Sequence, residues 1–402
     1  MASKNLSLGL MPSNRRTNAR RKLSMNEDQR IRMVAVGPDD AAEKAAWLSA
    51  VEAVIDQNGY CLGSAVETFE NSCKEQLDVE HAFGVSNGTD GLKICLKASG
   101  VQPGDEVILP AYSFFSTASV IRQLGAHPVF VDLDPGTLCI DTALIESAIT
   151  DRTRAIMPVQ LYGQTSDMDS IMKISSDRNI PVVEDAAQSF GVRYKGNSSG
   201  AIGSAGAFSF YPTKNLAAAG DAGMVVTNDD KIATQIRQLR VHGDTGGYCH
   251  ESLGWNARMD GFQGAILSVK LGRLKQQQDI RERNATEYLR ALSENNLLDR
   301  IKPLERTPGS EHCWHQFIIQ TDARDLLREQ LASRGIDSGI YYPGTLPSQP
   351  CFADLPSAQK HFPVADNAAL SVLALPVHHR LNEGDPSRVI KAMADIMEAA
   401  PH

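Results

Sequence analysis

The sequence predicts an α/β protein in which a large domain with a mostly parallel sheet precedes a smaller α+β domain. Short runs rich in β-branched residues alternate with helical periodicities, and one long helical pattern follows them. Strands that alternate with helices pair in parallel, because each connection crosses back over the sheet. A chain of 402 residues is also too long for one hydrophobic core, so two domains are expected.

Six apolar runs are the predicted strands of the large domain. They span residues 106–110, 128–132, 155–160, 181–185, 207–210 and 223–227. Helical patterns lie between them, as in residues 166–176, where Met168, Ile171 and Met172 recur at helical spacing. A sheet connected in this way is covered by helices on both faces.

One long helical pattern over residues 262–292 is expected to connect the large domain to the smaller one. The elements predicted after it are a strand at 315–321, a helix at 326–331 and a closing helix through 389–396. We therefore expect a large domain over residues 33–260, followed by a linking helix and a small C-terminal domain over residues 261–402.

The first 32 residues differ in composition from the rest of the chain. Basic side chains precede the first acid, Glu27, at Lys4, Arg15, Arg16, Arg20, Arg21 and Lys22. The apolar segment typical of a secretion signal is missing, although an Arg-rich start also suits a transit peptide. We expect a disordered basic tail over residues 1–32. A related hypothesis is that translation begins at Met25 or Met33.

Composition excludes several classes of protein. A net charge of −8 leaves no basic surplus for phosphates, so no nucleic-acid partner is expected. No run approaches the roughly 18 uninterrupted apolar residues of a membrane span, so we predict a soluble, cytoplasmic protein. The cysteines are scattered and never form a CxxC pair, which favours reduced thiols and no metal site. They are Cys61, Cys73, Cys95, Cys139, Cys249, Cys313 and Cys351.

Side chains with useful chemistry stand at the ends of predicted strands. Asp185 ends the strand at 181–185, and Lys214 lies in the polar turn after the strand at 207–210. A third segment, residues 86–92, is a small-residue turn that opens a helix. Ligands of open α/β sheets bind at the carboxyl ends of the strands, so we expect these residues to share one site.

These residue types match the requirements of pyridoxal 5′-phosphate (PLP). The cofactor needs a lysine amine for a Schiff base and an acid beside the pyridine nitrogen, which Lys214 and Asp185 supply. Its phosphate needs free N–H groups at a helix start and hydroxyls. The candidates for that cradle are Gly88, Thr89, Asp90 and Ser209. An aromatic residue for stacking on the ring is available in the segment 110–116.

Each feature also has an ordinary structural interpretation. A loop lysine such as Lys214 is usually solvated, and Asp185 after a strand is commonly a helix N-cap. Phe114 and Phe115 would ordinarily belong to the core. The joint occurrence of all features, in order and at strand ends, favours a PLP site.

The segment from Ser86 to about Asn228, continuing to Leu267, resembles the PLP-dependent sugar aminotransferases of the DegT/DnrJ/EryC1/StrS family. The matching strings are Ser-Asn-Gly-Thr-Asp-Gly-Leu, Pro-Gly-Asp-Glu-Val-Ile-Leu-Pro-Ala-Tyr-Ser-Phe, Val-Glu-Asp-Ala-Ala-Gln-Ser, Phe-Ser-Phe-Tyr-Pro-Thr-Lys-Asn, Gly-Met-Val-Val-Thr-Asn-Asp and Gly-Trp-Asn-Ala-Arg-Met-Asp-Gly-Phe-Gln-Gly-Ala-Ile-Leu. The resemblance implies the aspartate-aminotransferase fold, PLP fold type I, for the large domain.

The resemblance also implies roles for individual residues. Lys214 would form the Schiff base and carry protons, Asp185 would pair with the pyridinium nitrogen, and Gln188 would lie near the 3-hydroxyl of the ring. Phe114 matches the stacking aromatic. The phosphate would be bound by Gly88, Thr89, Asp90 and Ser209. Asn256 matches a residue that reaches the phosphate in the partner subunit, so the resemblance implies a homodimer with shared active sites.

The implied reaction moves an amino group from an amino acid, most often glutamate, to a keto-sugar that is usually linked to a nucleotide. A 3- or 4-keto-6-deoxyhexose is the expected acceptor. Relatives often carry His-Tyr-Pro and then Pro-Leu-His, whereas residues 341–348 contain Tyr-Tyr-Pro, which leaves the sugar open. Relatives that dehydrate a deoxysugar carry histidine at the position of Lys214.

Three alternatives remain open from the sequence. The acceptor could be a keto-inositol, or the protein could be a PLP enzyme of the same fold that acts on free amino acids. A non-enzymatic protein of this fold is the third, and it would be expected to lack the pair Lys214 and Asp185.

Overall fold

The computed structural model describes residues 30–399, so most of the predicted basic tail and the candidate start Met25 lie outside the described residues. Ile31 belongs to the predicted tail, yet it is buried and forms a parallel bridge with Ile336. Its apolar side chain packs into the C-terminal core. The last residues of the predicted tail are thus part of the fold.

The strands, in chain order, are β1 (His81–Val85), β2 (Glu106–Pro110), β3 (His127–Val131), β4 (Thr153–Ile156), β5 (Val183–Asp185), β6 (Arg193–Tyr194), β7 (Asn197–Ser198), β8 (Ala205–Ser209), β9 (Gly223–Thr227), β10 (Lys302–Pro303), β11 (Phe317–Gln320) and β12 (Val372–Leu375). The helices are α1 (Ala41–Asp56), α2 (Ser64–Leu77), α3 (Gly88–Ala98), α4 (Phe115–Gln123), α5 (Ile145–Ala148), α6 (Met168–Arg178), α7 (Asp230–Leu239), α8 (Gly261–Leu271), α9 (Leu274–Glu294), α10 (Arg324–Ser333), α11 (Pro363–Ser371) and α12 (Asp385–Ala399).

The large sheet combines the sets β3-β2-β4 and β5-β8-β9-β1, which parallel bridges join through Ile156 with Val182 and Val159 with Asp185. Only β9 among these strands runs antiparallel to its neighbours, β1 and β8. The prediction of a mostly parallel sheet is confirmed, and the six predicted strands are all present. β1 was not among the predicted strands.

Both faces of this sheet are buried, as the alternation along β9 shows. Val225 packs into the cluster that contains Leu92 of α3, whereas Met224 packs on the opposite face with Val66 of α2. Successive side chains of a strand point to opposite faces, so an apolar run of this kind requires cover on both sides. The carboxyl ends of the parallel strands stay open at one edge.

The expectation of one helix over residues 262–292 was wrong, because the segment forms two helices, α8 and α9. α8 ends at Leu271 with Gly272 as its C-cap, and α9 begins at Leu274. A glycine weakens a helix because its backbone loses more freedom on ordering than that of other residues. The periodic leucines continue across the break, since Leu267 and Leu274 are both buried.

A second, antiparallel sheet of β10, β11 and β12 lies in the C-terminal part and packs with α9, α10 and α12. Other C-terminal residues pack against the large domain. Leu346 and Phe352 join its apolar cluster, and the N–H groups of Val364 and Ala365 donate to the Asp132 carboxylate at 3.0 and 2.9 Å. The division at residue 260 therefore stays a prediction. Within residues 30–399, no helix is long and apolar enough to cross a membrane.

An ionic network fixes the N-terminal segment on the C-terminal part. The Asp39 carboxylate lies 2.8 Å from His379 Nε2 and accepts hydrogen bonds from Arg380 Nε and, at 2.7 Å, from Gln277 Nε2. Burial would raise the pKa of Asp39, but the bonds from His379 and Arg380 outweigh it and hold that pKa at about 2. The ionised form of Asp39 thus stabilises the fold.

Asp39→Asn is expected to lower the free energy of unfolding by about 1 kcal/mol at pH 7, after allowance for solvent screening. The pKa of Asp39 is lower in the folded state than its usual 3.8, so this contribution exists above pH 3.8 and is lost as the pH falls toward 2. Urea unfolding of both proteins between pH 7 and pH 3 measures it. The exposed Asp56→Asn is the control. A difference that grows on acidification would contradict the assignment.

Candidate active site

A cavity of about 800 Å³ opens at the carboxyl ends of the parallel strands. It brings together all but one of the residues predicted for the cofactor. Those that line it are Gly88, Thr89, Asp90, Phe114, Asp185, Gln188, Ser209 and Lys214. Its size suits a cofactor together with a small substrate, because ligand pockets commonly measure roughly 300–1,000 Å³.

Asp185 ends β5 and presents a buried carboxyl group to this cavity. Thr117 Oγ1 donates to its Oδ2 at 2.7 Å, and the Ala187 N–H donates to Oδ1 at 3.3 Å. Burial raises the pKa of Asp185, while the Thr117 hydrogen bond and the Lys214 cation oppose that rise. A buried carboxylate is most stable beside a cation, so this group is suited to pair with a protonated ring nitrogen.

Lys214 lies in the turn after β8, where its backbone N–H donates to Tyr211 O at 2.8 Å. Its side chain is half-buried and faces the cavity. Burial lowers the pKa of Lys214 to about 8, although the Asp185 carboxylate and Cys313 oppose the change. At pH 7 roughly a tenth of the amine is then neutral, far more than for an exposed lysine. A lysine with this lowered pKa is suited to act as a nucleophile and a proton acceptor near neutral pH.

The opening of α3 offers free backbone donors. Asn87 caps the helix, and its Oδ1 accepts the Asp90 N–H at 2.8 Å. The Asp90 carboxylate accepts a hydrogen bond from Lys93 Nζ at 2.8 Å. Within residues 30–399, the N–H groups of Gly88 and Thr89 have no acceptor. Two of the three predicted N–H donors are thus free to bind a phosphate, whereas that of Asp90 belongs to the helix cap.

Phe114 and Gln188 form the side of the cavity next to Tyr342. Phe114 is 53% exposed, and its ring centroid lies 5.9 Å from that of Tyr342. Gln188 Nε2 donates to the Tyr342 hydroxyl at 3.1 Å, and Gln188 Oε1 accepts the Tyr162 N–H at 2.7 Å. The Phe114 ring is thus available to stack on a flat ring, and its role in stacking stays a prediction.

Asn256 does not line the cavity. It is exposed, and its Oδ1 accepts a hydrogen bond from Arg258 Nε at 2.9 Å. A single chain does not bring it to the other predicted residues, and its role in a partner subunit stays a prediction.

Residues 41–394 match the family model described as the DegT/DnrJ/EryC1/StrS aminotransferase family. The chain belongs to this family. It is 41% identical, over 88% of this chain and 94% of the relative, to a protein of Geobacillus stearothermophilus named pleiotropic regulatory protein. It is 38% identical, over 87% and 92%, to the dTDP-3-amino-3,4,6-trideoxy-α-D-glucose transaminase of Streptomyces venezuelae. The structure of S. venezuelae DesV with a ketimine intermediate superimposes with a TM-score of 0.88 at 37% identity, covering 92% of this chain and all of that one.

This aminotransferase is PLP-dependent and has fold type I, as its family and solved relatives with PLP or its aminated form (PMP) show. The residues in the cavity fit the cofactor. The free N–H groups at Gly88 and Thr89 suit its phosphate, the buried Asp185 suits its ring nitrogen, and the Lys214 amine suits its aldehyde carbon.

Several residues in or next to the aminotransferase cavity were not predicted from the sequence. Thr117, which contacts Asp185, carries no motif, and nothing in the sequence indicates that it binds this acid. Arg281 and His315 lie on elements of the C-terminal part, and Met33 brings the N-terminal segment to the cavity wall. Contacts between segments so distant in the chain leave no local pattern, so only the fold reveals them.

Gly88 allows α3 to approach β8 closely. A Cβ atom at this position would lie 2.8 Å from Ser209 Cβ, so the substitution Gly88→Ala has to displace the helix opening or Ser209. We expect it to weaken PLP binding by about tenfold or more, because overpacking costs about 1–3 kcal/mol. Absorbance titration with PLP measures the change. Gly59→Ala, where nothing lies within 4 Å of the added Cβ, is the matched control. Equal affinities in the two variants would contradict this account.

Proposed function

We propose that this aminotransferase moves an amino group from glutamate to a nucleotide-linked keto-sugar, with a 3-keto-6-deoxyhexose favoured over a 4-keto one. The observation that carries the proposal is the pairing of a lysine of lowered pKa with a buried acid, Lys214 and Asp185, in one large cavity. Relatives named for 3-amino or 3-oxo sugars support position 3.

The side chains divide the work as follows. PLP, when bound, supplies the electron sink that stabilises negative charge at the α carbon of the donor. Lys214 Nζ would hold the cofactor and, in its neutral form, would accept the proton of the donor's α carbon. The buried carboxylate of Asp185 would favour a protonated ring nitrogen. The free N–H groups of Gly88 and Thr89 would bind the phosphate and so orient the cofactor.

The two half-reactions test the proposal separately. Glutamate alone should change the spectrum of the PLP enzyme and release 2-oxoglutarate. The aminated enzyme should then recover its original spectrum with a 3-keto sugar nucleotide faster than with a 4-keto one. Recovery only with a keto-inositol, or turnover of free amino acids without any sugar acceptor, would replace the proposal with one of those activities.

A homodimer with shared active sites is also proposed. Two large apolar side chains in the loop before Asn256, Tyr248 and Leu253, are 90% and 92% exposed, as expected for residues that a second subunit covers. Light scattering should give twice the chain mass of 43.6 kDa. Mixing Lys214→Ala with Asn256→Asp subunits should restore activity above that of either parent if both chains form each site. A monomer would refute the proposal.

A cytoplasmic location is proposed as well. The seven cysteines are free, four of them buried, which suits a reducing compartment. Cell fractionation followed by immunoblotting of the native protein would test it, and recovery from an oxidising compartment would refute it.

A further inference from the structure

Arg281 is a buried cation without a counter-ion. It lies on α9, is 6% exposed and lines the cavity, and its Nη1 donates to Trp314 O at 2.9 Å. Within residues 30–399, no carboxylate forms an ion pair with it. The adjacent Glu282 is engaged elsewhere, since it accepts from Trp314 Nε1 and Arg306 Nη2, each at 2.6 Å. Burying such a charge costs free energy that an anion in the cavity would offset.

Residues 313–315 connect Arg281 with the turn that carries Lys214. Asn215, next to Lys214, donates from Nδ2 to Cys313 O at 2.7 Å. This bond turns Asn215 Oδ1 toward His315 Nδ1, 3.3 Å away, so that Nδ1 donates and Nε2 stays unprotonated in the neutral ring. The segment before β11 that contacts Arg281 through Trp314 therefore also contacts the turn of Lys214. Arg281 and Lys214 line the same cavity.

Two histidines of the cavity do not neutralise the charge of Arg281. His315 and His378 line the cavity with it, and burial lowers the pKa of both rings, with the Arg281 cation adding to the effect; that of His378 falls to about 4. Both rings are thus neutral at pH 7. Three acids line the cavity, and within residues 30–399 none of them forms an ion pair with Arg281. Asp185 accepts from Thr117, Asp90 pairs with Lys93, and Asp221 is exposed. A guanidinium with free donors is a preferred partner of carboxylates.

We propose that Arg281 binds a carboxylate of the amino donor and so selects amino acids over other amines. This inference rests on the proposed function, in which an amino acid is the donor. The same contact holds the 2-oxo acid product, which keeps its carboxylates. A sugar acceptor has no carboxylate in the proposed function, so its binding should not depend on Arg281.

The test compares Arg281→Gln with Arg283→Gln, an exposed arginine on the same helix. In single turnovers of the PLP enzyme, Arg281→Gln should raise the apparent Kd for glutamate by about 10- to 100-fold, as expected for the loss of a charged hydrogen bond. Recovery of the aminated enzyme with the keto-sugar nucleotide should change less than about twofold. Arg281→Lys keeps the charge, so its Kd for glutamate should lie between those of Arg281→Gln and the wild type. Calorimetry with glutarate gives a readout independent of turnover.

The donor series identifies the carboxylate. If Arg281→Gln raises the Kd for alanine and for glutamate equally, Arg281 binds the α-carboxylate. If it raises the Kd for glutamate alone, Arg281 binds the distal carboxylate. An unchanged Kd for glutamate and glutarate in a folded Arg281→Gln or Arg281→Lys enzyme overturns the inference. An equal loss of affinity for the keto-sugar nucleotide overturns the inference as well, because Arg281 would then bind phosphates. Failure of every keto-sugar would refute the proposed function while leaving the glutamate result intact.

Discussion

Lys214→Ala is expected to lower the rate of amino transfer by at least about 10³-fold, since one side chain serves as nucleophile and proton carrier. PLP should still bind, because the donors of Gly88 and Thr89 do not depend on this lysine. Single-turnover release of 2-oxoglutarate from glutamate measures the loss. Borohydride reduction followed by peptide mass analysis should attach the cofactor to the peptide of Lys214 in the wild type and not in the variant.

The control for this variant is Lys173→Ala, an exposed lysine on α6. This variant should keep the wild-type rate of amino transfer and should still attach the cofactor to the peptide of Lys214. A Lys214→Ala enzyme that retains more than a tenth of the wild-type rate would show that another amine performs the transfer, and label on a different peptide would identify it.

Asp185→Asn should have the second-largest effect, a loss of about 10²- to 10³-fold in both half-reactions, comparable with the removal of a key electrostatic partner in other active sites. Asparagine has nearly the same shape and still accepts from Thr117, but it carries no charge to hold a proton on the ring nitrogen. The pKa of Asp185 is already raised by burial, so the neutral replacement should fold well. Stopped-flow spectra of the two half-reactions measure the effect.

Exposed Asp177→Asn provides the matched control for this change. Thr117→Val adds a graded variant: it removes the 2.7 Å hydrogen bond, raises the pKa of Asp185 further and should cost less than Asp185→Asn. Wild-type rates in Asp185→Asn would exclude a role for this carboxylate in the chemistry.

The sequence sufficed for the parts of the site that belong to local motifs. Asp185 ends one strand and Lys214 follows another, and the apolar runs of both strands are visible in the sequence, so the position of the two residues in one cavity could be predicted. β1 was not predicted because its five residues include a glycine and a histidine, which weaken the strand pattern. The break between α8 and α9 was not predicted because the buried leucines continue across it.

Residues that act through the tertiary structure could not be predicted. Arg281 looks like any surface arginine of a helix, and its burial depends on Trp314 and on the segment that follows it. Thr117 reaches Asp185 only because α4 lies over the end of β5. In both cases the partner is distant in the chain, and side-chain periodicity contains no information about it.

Tyr342 lies near Phe114 at the cavity, in an irregular segment outside the sheets. Tyr112 both donates to Tyr342 O at 2.8 Å and accepts from its N–H, so the backbone of Tyr342 is held independently of its own side chain. Leu346 of the same segment is buried in the apolar cluster, whereas Tyr342 is partly buried at the cavity. We therefore expect that position 342 can vary, and the acceptor with it, while Lys214 and Asp185 keep their places.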